Sequence, residues 1–189
     1  VTSRRRTAVG LAAAAILIGG IAAWALTRAE VVQGGPLAHP RGYRDSVEFT
    51  VPLRTPYSWG LVILRNNGDD EATVERVTAV DPKGSMRIVG LYAVSERAPD
   101  AVGFAPGFDP ELGRGVEGLV VPPGRGKGYQ LVFGVQADRS GISSFRAIRV
   151  EYRVGDTRYA ATFDQAVVLC APVERYETCP SASESVPSA

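Results

Sequence analysis

Histidine and methionine each occur once, and cysteine and lysine twice, in a chain of 189 residues. Each scarcity removes a class of chemistry. His39 is the sole imidazole and lies among prolines and glycines, so neither a Ser-His-Asp triad nor a histidine-based zinc site has a scaffolded ligand. Met86 alone is no copper-handling cluster. The two cysteines, Cys170 and Cys179, are not spaced as a redox CxxC pair. A basic surface is also missing. Without Arg4, Arg5 and Arg6 the net charge of +1 becomes −2, and no Lys/Arg cluster follows. That leaves no electrostatic footprint for DNA or RNA. No cofactor, no metal, no nucleic-acid partner and no enzymatic activity are expected.

Charge is absent altogether from Ala8 to Leu26, nineteen consecutive positions. As a helix these would reach roughly 28 Å, close to the hydrocarbon thickness of a bilayer. The run has no polar stripe, and Trp24 sits near its outer end, where an indole suits the interface. Arg4–Arg6 before it favour leaving residues 1–7 in the cytoplasm. The expectation is a signal-anchor at 8–26, with the bilayer as first partner and everything downstream outside the cytoplasm. The competing reading is a signal peptide cleaved after Ala25, on the small-x-small pattern Ala23-Trp24-Ala25. With no cysteine near residue 26, a lipobox is excluded.

Residues 27–45 are expected to form a stalk, because Gly34-Gly35-Pro36 and Pro40 break periodicity and no apolar face develops. From Ser46 the apolar period becomes two. Val47, Phe49, Val51 and Leu53 alternate with polar neighbours, and Pro52 marks an edge strand or its end. Trp59 to Leu64 reads as a central strand. Asn66-Asn67-Gly68-Asp69-Asp70 reads as a polar hairpin tip leading to a strand over Glu71–Val80. A turn at Asp81–Gly84 precedes another over Ser85–Ser95. Leu119–Val121, Tyr129–Val135, Ile148–Val154 and a return strand through Tyr159, Ala161 and Phe163 follow, with Gly155-Asp156 as a two-residue hairpin turn. Helical periodicity is lacking after residue 26. About eight strands with turns at this spacing predict an all-β, antiparallel β-sandwich over 46–172.

The patterns Leu64-Arg65-Asn66-Asn67-Gly68-Asp69, Val121-Pro122-Pro123-Gly124 and Val150-Glu151-Tyr152 resemble those of bacterial immunoglobulin-like domains on surface proteins, including the CARDB-type adhesion-related group. The resemblance spans residues 46–170, and the whole chain resembles actinobacterial single-pass membrane proteins with such an extracytoplasmic domain. A strong preference for arginine, 19 against 2 lysines, fits a GC-rich source. The resemblance implies an immunoglobulin-like fold with a binding or assembly role in the envelope, and carries over no catalytic residue.

Cys170 and Cys179, an even and closely spaced pair in an exported domain, are expected to form a disulfide after the last strand. They would tie down the start of a tail, 173–189, that ends in a small, polar, disordered stretch. The longest irregular stretch, Glu96–Gly118, has 23 residues with three prolines and five glycines. Loops of that length in compact domains are often functional. Phe104 and Phe108 on it are candidate partner contacts, together with Asp109 and Glu111; the alternative has both rings capping the end of the sandwich. Asp109 and Glu111 also raise a second reading, an envelope enzyme or ligand carrier using paired carboxylates. A third is a purely structural spacer. Asp69-Asp70-Glu71 admits a calcium reading beside the plainer one of a polar tip.

Overall fold

A computed structural model of the protein describes residues 31–38, 45–97 and 103–181. The expected anchor at 8–26, the alternative cleavage position, His39 and the tail beyond Ser181 lie outside the described residues. Among the described residues no helix is long and apolar enough to cross a membrane.

The described chain is all-β. Its strands are β1 (Val32–Gln33), β2 (Leu37–Ala38), β3 (Asp45–Thr50), β4 (Tyr57–Asn66), β5 (Ala72–Val80), β6 (Met86–Ser95), β7 (Phe104–Pro106), β8 (Val120–Val121), β9 (Tyr129–Ala137), β10 (Gly141–Phe145), β11 (Ala147–Val154), β12 (Thr157–Phe163) and β13 (Gln165–Ala171). Two short 3-10 turns, Pro110–Leu112 and Val173–Arg175, complete the regular structure. One sheet runs β1-β12-β11-β5-β8 and a second runs β2-β4-β9-β6, with β7 also on β4; β10-β13-β3 form a third.

Alternation explains the layers. Ile148, Val150 and Tyr152 of β11 and Val74 of β5 point one way. Trp59, Val62 and Leu64 of β4 and Leu131, Phe133 and Val135 of β9 point back at them, and all lie in one apolar core. Trp59 sits at its centre, 4.9 Å from the Phe133 ring and 5.6 Å from Phe145. Sheets that face each other across one core make a β-sandwich.

The third sheet is not separate in origin. From the pair Phe145–Val167 to the pair Ile148–Phe163, one arm advances three residues and the other four. The strands β10–β11 and β12–β13 are therefore one long hairpin. It carries one extra residue at the bend and closes over Gly155-Asp156, where Gly155 takes φ 55°.

Several expectations need correction. Thirteen strands are found among the described residues, not about eight: β1, β2 and β7 carry too few residues to show a period, and β10 and β13 prolong the expected β11–β12 hairpin past its bend. The sandwich is not purely antiparallel: β1 runs parallel to β12, and β3 parallel to β13. The strand expected to reach Leu53 ends at Thr50, and the chain turns through Arg54 at φ 58°. Asn66–Asp70 is not a hairpin tip, since β4 and β5 belong to different sheets; the segment is a crossover. Cys170 lies within β13 and not after the last strand.

The stalk expected over 27–45 is also revised. Val32–Gln33 and Leu37–Ala38 pair with β12 and β4, and the compact unit begins at Val32. Leu37, with 2% of its surface exposed, belongs to the core. The Tyr152 hydroxyl donates to the Gly34 carbonyl (2.9 Å) and accepts from the Leu37 amide (3.1 Å), so one buried phenol holds both ends of this segment. Gly35 is required there, since a Cβ would overlap that hydroxyl and the Tyr159 ring.

Candidate interaction surface

Residues 103–118 are more regular than their composition implies. Phe104, on β7, pairs with Trp59 of β4, and its ring stacks on Phe49 (centroids 3.4 Å apart, 3° between planes) and Tyr57 (4.9 Å). Phe108 lies over Gly90 and Gly134, which face each other across β6 and β9. A methyl group on either glycine would overlap the ring, so the two bare backbones form its seat. Tyr92 flanks it at 5.5 Å. Both rings are half-buried against the domain's own strands.

Asp109 and Glu111 are exposed at the adjoining turn. The Asp109 carboxylate accepts from the Glu111 amide at 2.9 Å and caps the 3-10 turn. Asp109 also helps burial hold the Tyr92 phenol above its ordinary pKa. Phe104 and Phe108 thus lie on opposite faces of the sheet of β4, β9 and β6, Phe104 with the core side chains and Phe108, beside Asp109, over the glycines of the outer face. Asp69-Asp70-Glu71 is an exposed crossover, and among the described residues no three His, Cys, Asp or Glu side chains converge as a metal set.

Cys170 and Cys179 are joined, as expected, with Cα atoms 5.6 Å apart. Cys170 and Val168 face outward from β13, away from the main core, and are buried beneath Tyr176 and Cys179. The bond therefore fastens a short cover over an apolar strip that would otherwise meet water.

A concavity of about 520 Å³ lies elsewhere, lined by Val74–Val77 of β5, Leu91 of β6 and Gly115–Glu117. It sits at one lateral seam of the sandwich. β5 leaves β8 after Thr73, and β6 ends its sheet. The segment 113–121 closes one end of this seam through the Ala93–Arg114 bridge and the Val74–Leu119 hydrogen bond. The turn at Asp81–Ser85, bridged from Lys83 to Ser144, closes the other. Between them, among the described residues, no strand adjoins Glu75–Val80 or Met86–Leu91 on this side.

Glu75, Arg76 and Glu117 line the mouth of the concavity, whereas the side chains that face inward along the seam are apolar. Val77 and Ala79 lie opposite Val150 and Ile148, and Ile88 and Leu91 opposite Val135 and Phe133. Residues directly opposite share a face, so all four point toward the interior. None of the four is fully buried, and Ile88 is 37% exposed.

No family model and no curated protein matches the chain. Among solved structures it is similar to the VesB protease of Vibrio cholerae, at 9% identity and a TM-score of 0.40, covering 72% of this chain and 32% of the protease. The chain thus spans about a third of that protein. It is also similar to the ASH/PapD-like domain 7 of human CEP192, at 11% identity and a TM-score of 0.38, covering 77% of this chain and 96% of that domain. Likeness at this level carries no argument about fold or activity.

Sequence reasoning missed the polar residues that hold the frame. Asn66, 1% exposed, donates to the carbonyls of Asp70 (2.7 Å) and Val121 (2.9 Å) and accepts from the Gly68 amide (3.0 Å). Gln165 donates to the Leu61 carbonyl at 3.0 Å and Gln130 to that of Gly60, where β4 bulges away from β9. A glutamine at the head of an apolar run, as in Gln165-Ala-Val-Val-Leu, was the available signal: a buried amide must find partners.

Proposed function

We propose that this chain is a membrane-anchored extracytoplasmic module whose immunoglobulin-like sandwich binds or scaffolds a protein partner in a bacterial cell envelope, in the manner of the CARDB-type domains it resembles. Its single-pass anchor is residues 8–26, with the N-terminus cytoplasmic. The observation that carries the binding role is the asymmetry of the sandwich. One lateral seam is filled by the chain's own strands, and the other presents half-exposed apolar side chains between strand edges that nothing described covers. Phe104 and Phe108 support this reading from within, by bracing the sheet that carries β6; the exposed contacts of the 96–118 segment are Asp109, Glu111 and Leu112. The disulfide suits an oxidising exterior.

The test is protease shaving and photo-crosslinking in intact, wall-stripped cells that produce the full chain. The domain should be cleaved from outside before lysis, and a crosslinker at an exposed position should capture a discrete partner. Protection until lysis would refute the address. Accessible protein with no crosslink from any exposed position would leave only a spacer role.

A further inference from the structure

The open seam has the geometry of a missing strand. At the opposite seam the chain supplies one: β1 and β3 run along β12 and β13, while Leu37 and Val51 fill the gap between layers. Nothing equivalent lies along β5 beyond Thr73 among the described residues. Its edge is extended and regular from Arg76 to Val80, since the extra residue of its bulge, Glu75, falls before that stretch. β6 is a poorer template, because it bulges between Ile88 and Gly90 and is bridged at Ala93. Unpaired edge backbone is a template for an added strand, and alternate side chains of that strand would fall on the interior.

Charge narrows the occupant. Glu75 is held by Arg153 (3.0 Å) and Arg158 (3.1 Å). Arg76 and Lys83 are exposed and form no ion pair among the described residues. Glu117 lines the same concavity, but Arg76, Lys83 and the two arginines on Glu75 outnumber the carboxylates of Glu75 and Glu117. The slot's exposed flank is therefore net cationic, which favours an acidic strand and disfavours a second copy bringing the same cations to the same edge.

We propose that the open seam is a docking slot for an extended peptide segment of a partner protein, added as a strand along Arg76–Val80, with alternate apolar side chains against Val77, Ala79, Ile88 and Leu91 and an acidic side chain on Arg76. This rests on the binding-module reading and names the partner's chemistry. The segment 113–121 and the Asp81–Ser85 turn limit the added strand to about five residues.

The experiment titrates the purified full-length chain into a fluorescein-labelled peptide of alternating valine and threonine with one central aspartate, followed by anisotropy. Saturable binding is expected, with new hydrogen-exchange protection at Arg76–Val80. Ile88→Lys should weaken it about tenfold or more, and Arg76→Glu should weaken it and be rescued by a peptide with lysine in place of aspartate. Methylating alternate peptide amides should abolish binding. Circular dichroism must show both variants folded; Ile88→Thr substitutes if the lysine is not tolerated. Equal binding of the methylated or a shuffled peptide, no binding, or protection confined to other strands would overturn the proposal. So would a concentration-dependent dimer lost in Ile88→Lys, which would assign the seam to a second copy. In cells, crosslinks from Leu112 or Ile142 but not from Ile88 would sink the slot and spare the binding module, whereas none from any of the three would remove both.

Discussion

The two lateral seams of this sandwich solve the same problem in opposite ways. Both lie where two sheets diverge and interior side chains approach solvent. Along β12 and β13 the seam is sealed three times: by parallel strands, by Leu37 and Val51 inserted between layers, and by Tyr152 holding the Gly34–Leu37 segment. Along β5 and β6 the ends are closed and the middle is left to Val77, Ala79, Ile88 and Leu91, all partly exposed. The same residue classes therefore serve stability on one side and stay available on the other. Among the described residues, the difference lies in whether the chain returns to cover them.

That contrast breaks most visibly if one substitution is made at both seams. Leu37→Lys buries an unpaired cation in the core and should cost more than about 4 kcal/mol, enough to unfold much of the population in a denaturant titration. Ile88→Lys, at the open seam, should cost far less. Removing the disulfide with Cys170→Ala and Cys179→Ala should cost about 2.7 kcal/mol on the loop-closure account, and proteolysis should release the tail while the sandwich remains folded. Tyr152→Phe keeps the ring and deletes both hydrogen bonds, leaving the Leu37 amide unmatched in the interior. About 2 kcal/mol is expected, with amide exchange accelerating in β1 and β2 before β5 and β6.

The same phenol sharpens the comparison through pH. Burial raises the Tyr152 pKa above its ordinary value of 10.0, against a smaller lowering effect of the Leu37 amide. A folded-state pKa above the unfolded one stabilises fully below the unfolded value, and that stabilisation is lost as pH rises through the folded value. Alkaline denaturation should therefore begin above pH 10 with release of the 32–38 segment. A Tyr152→Phe chain should show a shallower loss over the same range, and equal slopes would refute the assignment. Ile88→Lys completes the series, within about 0.5 kcal/mol of the parent because the site is already open to water. A large loss there would mean that the seam is closed in solution.

Much of the fold was legible because alternation is a local signal. The strands through Trp59–Leu64, Tyr129–Val135 and Ile148–Val154, and the turn at Gly155-Asp156, sit where the period of two and the turn chemistry put them. The disulfide was legible from redox logic. What escaped has a common cause. Leu37 is a single apolar residue among glycines and prolines, and its burial depends on strands far along the chain. Asn66 reads locally as a turn residue, yet it is a buried three-way clamp because the two strands it joins part into different sheets. Phe104 and Phe108 read as a contact pair in a loop, but Gly90 and Gly134, 44 positions apart, make the seat that Phe108 occupies.

By itself the sequence determined that the region beyond residue 45 would be strands, which side of most of those strands would be apolar, and that its two cysteines would pair. These follow from neighbours one to ten residues away. Only the tertiary structure decided how the strands are shared between sheets, that residues 32–38 join the sandwich, and which seam stays open. Those outcomes turn on strand edges meeting across more than a hundred residues, and an edge carries no mark in the sequence, because every residue offers the same backbone donor and acceptor whether or not a partner arrives.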